Sequence, residues 1–227
     1  MKKAHLFITI LLLLSLTSCT LSATIADKLG FDTYDYMGES VTAVHPVDGE
    51  LACDVEEILE ILVTTSPRLQ TFDNMGDAIK LYNDAVLSYM LETGYSKYSG
   101  NVELINKATA AYPEYSITQI IPQSEYEATM YQYFGGDVKI THRDGQMFKY
   151  LSKVGAYISP VTPMARGLEP QVTYLAETAK TYRVKFTVVA EDGEGELDSP
   201  EYFALIIKRD DGTHYIKKLL DGSTVNG

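Results

Sequence analysis

Glu201-Tyr-Phe-Ala-Leu-Ile-Ile-Lys-Arg-Asp-Asp-Gly-Thr-His-Tyr-Ile-Lys-Lys-Leu-Leu220 is the stretch that decides the fold. Residues 201–209 and 214–220 are rich in β-branched, aromatic and aliphatic side chains. Between them stands Asp210-Asp211-Gly212, and Asp-Gly between two apolar runs is a strong short-range hairpin signal. A second antiparallel pair precedes it, residues 172–177 and 182–190 joined by Thr178-Ala179-Lys180-Thr181. Within that pair Val184, Phe186 and Val188 alternate with Lys185 and Thr187. The period of two puts one face of the sheet against a core and leaves the other wetter.

Toward the N-terminus the period changes. Pro160, Pro163, Gly167 and Pro170 mark a long loop ahead of the meander. Residues 138–142 alternate as a strand and Asp144-Gly145 turns after them. Residues 146–158, with Phe148, Tyr150, Leu151 and Tyr157, are ambiguous. Before them the pattern is helical. Ser124 is placed to cap a helix over 125–134, Glu127 completes a capping box, and Gly135-Gly136 ends it. Residues 116–121 read as a strand or extended link. Asn101 caps a helix with Val102, Ile105, Ala108 and Tyr112 on one face, stopped by Pro113. Asp73 or Asn74 opens the clearest helix, to about Thr93, in which Met75, Ile79, Tyr82, Val86, Tyr89 and Met90 recur at three and four. Asp54 caps a shorter one to Thr64, with Ile58, Leu59, Ile61 and Leu62 inward.

Helices first and an antiparallel meander last define the α+β class, with N-terminal helices packed on a curved C-terminal sheet. Over residues 73–220 the order resembles NTF2-like and cystatin-like folds, with the helix end Gln132-Tyr133-Phe134-Gly135-Gly136 leading into the sheet. The resemblance implies a cone or groove between helices and sheet. It transfers no catalytic motif.

The first nineteen residues carry an address. Lys2 and Lys3 precede an apolar run from Leu6 to Leu16, which ends on Leu16-Thr17-Ser18-Cys19. That order is a secretory signal, short for a membrane-spanning helix. Its last four residues resemble the lipobox of bacterial lipoproteins. The resemblance implies export, cleavage before Cys19 and a diacylglyceryl lipid on its sulfur, so that the protein is held on the extracytoplasmic face of the cell membrane. Two acyl chains hold firmly, at about 0.8 kcal/mol per buried methylene. The alternative is an ordinary signal cut near Ala23 or Ala26. The chain then divides into a leader (1–18), a tether (19–52) with little periodicity that settles near Val41-Thr42-Ala43-Val44, and one α+β domain (53–227).

Composition narrows the function. The 227 residues carry a formal charge of −12, and loss of Lys2 and Lys3 with the leader takes it to −14. Such a surface repels phosphate backbones, which argues against nucleic acid and leaves the lipid as the link to the membrane. Of the two cysteines, Cys53 has no partner once Cys19 is lipidated, and Asp54, Glu56 and Glu57 beside it disfavour a thiolate. A Cys19–Cys53 disulfide would require the lipobox reading to be wrong.

Catalytic and metal signatures are weak. His45, His142 and His214 form no local ligand pair, although His142 and His214 both fall on expected strands. The acidic run 191–198 lacks the glycine offsets and closing glutamate of a calcium loop. There is no nucleophile elbow and no phosphate-binding glycine loop. No cofactor or metal is expected. Seventeen tyrosines against seven phenylalanines and no tryptophan is the compositional oddity. Tyrosine suits half-buried surfaces, where the ring packs and the hydroxyl stays wet. Tyr126, Tyr131 and Tyr133 share one helix and are the candidate groove residues, for an envelope protein partner or a small molecule; ordinary sheet and core packing is the alternative. The expectation is a non-enzymatic, lipid-anchored binding or interaction module. The alternatives are an NTF2-like enzyme with a tyrosine–carboxylate acid–base pair in its cone, or a proteinaceous regulator of cell-wall enzymes.

Overall fold

A computed structural model describes residues 38–136, 138–160, 167–191, 197 and 199–224. The leader with Cys19, the centre of the 160–170 loop and most of the acidic run 191–198 lie outside the described residues. Residues 39–135 and 139–227 make one compact unit, which holds every described helix and strand. Of the other unit, residues 1–38 and 136–138, only Gly38, Gly136 and Val138 are described.

In chain order, β1 (Ala43–His45) precedes the helices α1 (Glu50–Val63), α2 (Met75–Leu81), α3 (Asn83–Thr93), α4 (Tyr95–Ser99) and α5 (Val102–Ala111). Then β2 (Ile121–Pro122) runs into α6 (Gln123–Phe134), followed by β3 (Lys149–Leu151), β4 (Ala156–Ile158), β5 (Leu168–Glu177), β6 (Thr181–Ala190), β7 (Tyr202–Lys208) and β8 (His214–Asp221). The class is α+β. Strands β1-β5-β6-β7-β8 form a five-stranded antiparallel sheet, and β2-β4-β3 a three-stranded one.

The Asp-Asp-Gly hairpin forms because its turn chemistry is complete. Gly212 takes φ +84°, and Asp211 Oδ1 accepts from both the amide and the hydroxyl of Thr213, at 2.9 and 2.7 Å. Pro170 lies inside β5, opposite Val188 of β6. It is tolerated because β1 pairs with β5 from Leu175 to Glu177, so at Pro170 no described strand needs an amide on that edge. Nearby, Glu56 Oε1 of α1 accepts from the Val172 amide at 2.8 Å.

Helix α1 lays Ala52, Val55, Leu59 and Leu62 on the sheet, spaced at three and four and all at most 1% exposed. Burying each of the larger ones contributes about 1.5–3 kcal/mol. The helix starts at Glu50, four residues ahead of the expected Asp54 cap, behind Gly49, which makes no side-chain cap bond. Residues 43–45, read as tether, form β1.

Three further expectations are corrected. The single helix from Asn74 to Thr93 is two. Asn74 caps α2 by accepting from the Asp77 amide, but Tyr82 leaves helical geometry (φ −106°, ψ 13°) between α2 and α3. There it drives its ring against Phe72 and donates its hydroxyl to Gln70 O at 2.7 Å. The capping box at Ser124 does not form. The α6 N-cap is Pro122, and Glu127 accepts instead from Gln123 Nε2 and bonds His142 Nε2. Residues 138–142 make no strand, although Ile140 is buried as its alternation requires. The ambiguous stretch 146–158 resolves into β3 and β4, which cover a small apolar cluster with α5.

Candidate binding groove

The three tyrosines expected on one helix do not share one surface. At 100° per residue, Tyr126 and Tyr133 lie within about 20° of each other around α6 and Tyr131 about 140° away. Tyr126 is buried, and its hydroxyl donates to Asn83 Oδ1 at 2.8 Å. Tyr131 is partly buried against the main core, and its carbonyl accepts from Arg209 Nη2 at 2.8 Å. Tyr133 lines a cavity.

That cavity, about 450 Å³, lies between α1, α3, α6 and the start of β8. Helix α1 brings Asp54, Glu57 and Glu60 from the side opposite its buried stripe; α3 brings Tyr89, α6 Tyr133 and β8 His214. A second cavity of about 200 Å³ shares Glu60 and Tyr89 and adds Glu92, Glu169 and Glu191. The two therefore adjoin as one groove along α1, and among the described residues no lysine or arginine lines either.

Electrostatics follow from that lining. Burial first, then the neighbouring carboxylates of Glu57 and Glu169, raise the Glu60 carboxyl above the ordinary range. Burial raises that of Glu92 as well. The Tyr133 hydroxyl is held protonated, by burial first and then by its 2.9 Å hydrogen bond with the Tyr89 hydroxyl, with Glu60 and Glu57 adding to it. Those two rings meet edge to face at 5.6 Å. Opposite them, burial first and then Lys208 and Arg209 push the His214 imidazole below its ordinary value; Asp54 and Asp211 oppose this.

A second polar cluster is built around His142. His142, whose side chain is 10% exposed, bonds Glu127 Oε1 at 2.8 Å and the Tyr157 hydroxyl at 2.9 Å, and stacks on Tyr150 at 4.9 Å. Tyr157 is itself 1% exposed and the Glu127 side chain 31%, and the hydrogen bonds make a clasp that fastens residue 142 to α6 and β4. A third cavity, about 470 Å³, lies where α2 meets α3. Its Asp84 carboxylate accepts from the amides of Gln146 and Met147, and its Arg143 donates to Lys80 O, so its polar groups are engaged in holding the 143–147 loop. Among the described residues no His, Cys, Asp and Glu side chains gather as metal ligands. His142 and His214, both expected on strands, stand apart: the first in the clasp, the second on β8 in the groove. Cys53 is a free, exposed thiol.

Sequence reasoning reached Tyr133 and missed the rest of the groove. Asp54, Glu57 and Glu60 fall at the spacing of one helix face, which is a legible signal. Tyr89 and His214 come from elements far apart in the chain and carry none. No protein-family model matches the chain, no curated protein matches its sequence, and no solved structure matches its fold.

Proposed function

We propose that this protein is a binding module, exported and held at the outer face of the cell membrane through lipid on Cys19, whose groove takes ligands bearing alkylammonium groups. The observation that carries the ligand class is the lining itself. Six carboxylates and two tyrosine rings line the two adjoining cavities, and among the described residues no lysine or arginine is part of either lining. A bound ammonium would relieve the repulsion from Glu57 and Glu169 that, after burial, raises the Glu60 carboxyl, and the tyrosine faces would add cation–π attraction of about 0.5–2 kcal/mol. The layout of helices on an antiparallel sheet with a groove between supports an NTF2-like or cystatin-like kinship. An acid–base enzyme needs a carboxylate against a tyrosine hydroxyl in an enclosed pocket. Here the Tyr89 and Tyr133 hydroxyls bond each other in an open groove, which favours binding.

The test is calorimetric titration of the full chain with spermidine and, separately, with a hexalysine peptide. Saturable binding that weakens with added salt, and that falls at least about tenfold in Glu57→Gln/Glu60→Gln, is expected. Tighter binding of the peptide would assign lysine side chains of a protein as the source of the ammonium groups, and tighter binding of spermidine a free polyamine. Absence of saturable binding to both would overturn the reading.

A further inference from the structure

The groove contains one group that can itself become a cation. His214, the first residue of β8, shares the cavity wall with Asp54, Glu57 and Glu60 of α1 and with Tyr133 of α6. The other cations near it are committed elsewhere. Lys208 Nζ is held by Glu177 Oε1 at 2.7 Å and by Thr178 O at 2.8 Å. Arg209 bonds the carbonyls of Tyr131 and Gln132 at the end of α6 and lies over the Tyr215 ring. On its own side the His214 ring lies against Tyr182 of β6, with centroids 5.5 Å apart. The charged groups acting on it are thus Lys208 and Arg209 against protonation, Asp54 and Asp211 for it.

We propose that His214 is a proton-dependent competitor built into the groove: as imidazolium it answers the carboxylates in place of a ligand ammonium and releases the ligand on acidification. This rests on the groove binding ammonium groups. The neutral ring contributes only a polar edge to the wall, so the full field of the carboxylates is open to the ligand. Protonation adds one positive charge inside that field, and a like charge next to a bound ammonium lowers its affinity. The direction of the His214 shift sets the window. With its proton affinity held below the ordinary value near 6.5, the ring stays neutral at neutral pH and charges only in mild acid. Linkage makes the effect reciprocal, so a bound ammonium must in turn make the ring harder to protonate.

The experiment measures spermidine affinity by calorimetry at about pH 8 and about pH 5.5 for the full-length protein, His214→Gln and His214→Lys, each checked for folding by circular dichroism. The carboxylates titrate in all three, so the quantity read is the ratio of Kd at the two pH values within each protein. That ratio should be about five- to tenfold larger in the unsubstituted protein than in His214→Gln, and His214→Lys, charged at both pH values, should bind weakly at both. Proton NMR of the His214 ring gives a readout that a purely structural histidine would not move: its titration midpoint should fall on saturation with spermidine. Equal ratios in the unsubstituted protein and His214→Gln, or a midpoint unmoved by bound spermidine, would overturn the proposal while leaving the groove reading intact. Absence of binding at about pH 8 by spermidine and the hexalysine peptide alike would strike the groove reading instead; where the peptide alone binds, the same ratios are read with the peptide.

Discussion

Asn83 shows how one side chain decides a local structure. It is 7% exposed at the start of α3, where its Oδ1 receives the Tyr126 hydroxyl and its Nδ2 donates to Asp84. This pairing ties α3 to α6 beneath the Tyr126–Tyr157 ring contact at 4.9 Å. Replacing Tyr126 by Phe keeps the ring and strands the Asn83 oxygen in the core. The expected cost is about 1–2 kcal/mol, read as a lower urea midpoint at unchanged m-value. Tyr95→Phe is the control, because that side chain is 62% exposed; it should change stability by less than about 0.5 kcal/mol. A Tyr126→Phe protein as stable as the parent would show the hydrogen bond to be dispensable.

Among the elements, β1 depends most on a few polar contacts. Three residues long and at the edge of the sheet, it is held to β5 by its ladder and by His45 Nε2 on Glu177 Oε2 at 2.9 Å. Lys208 takes the other Glu177 oxygen at 2.7 Å. Just before β1, the Glu39 carboxylate accepts from the Thr178 hydroxyl and its carbonyl from Arg183, both at 2.6 Å. The Glu177 carboxyl is held below its ordinary 4.5 by hydrogen bonds from Lys208 first and His45 second. A depressed folded-state value contributes stability above the unfolded value and loses it as pH falls through the folded one. Glu177→Gln should therefore be less stable than the parent at pH 7, and the difference should close as pH falls below the ordinary 4.5 and through the lowered folded-state value. Hydrogen exchange localises the effect: the amides of β1 and the end of β5 should lose protection first in the variant. Uniform loss across the sheet would deny β1 its separate latch. Helix α6 is ended more rigidly. Gly135 takes φ +71° and ψ 173°, a region essentially reserved for glycine, and a Cβ there would stand 2.5 Å from the Tyr215 ring.

For the whole molecule, the sign of its charge and its proposed address belong together. A formal charge of −12 disfavours association with anionic headgroups by electrostatics, so on the proposed reading attachment to a membrane would fall to lipid on Cys19. The expected outcome is that the protein partitions into the detergent phase on extraction of cells and takes up a labelled fatty acid. Cys19→Ser should abolish the label and move the protein to the aqueous phase or leave it uncleaved. Label retained in Cys19→Ser, or none in the parent, would return the leader to an ordinary secretory signal.

The sequence by itself determined the parts written in local period and turn chemistry. The Asp-Asp-Gly hairpin, the one-sided burial of Val184, Phe186 and Val188, a cap at Asp73 or Asn74, the Asn101 cap and the α+β order all follow from neighbours a few residues apart. Tertiary structure decided everything that hangs on a distant partner. Tyr82 breaks a periodic helix because Gln70 and Phe72 receive it, and Glu127 abandons a capping box for a histidine 15 residues on. The groove joins carboxylates of α1, a tyrosine from each of two later helices, and a histidine from the last strand, about 160 positions beyond Asp54 in the chain. Local pattern fixes which face of each element is wet; only the packing of those elements fixes which wet faces meet.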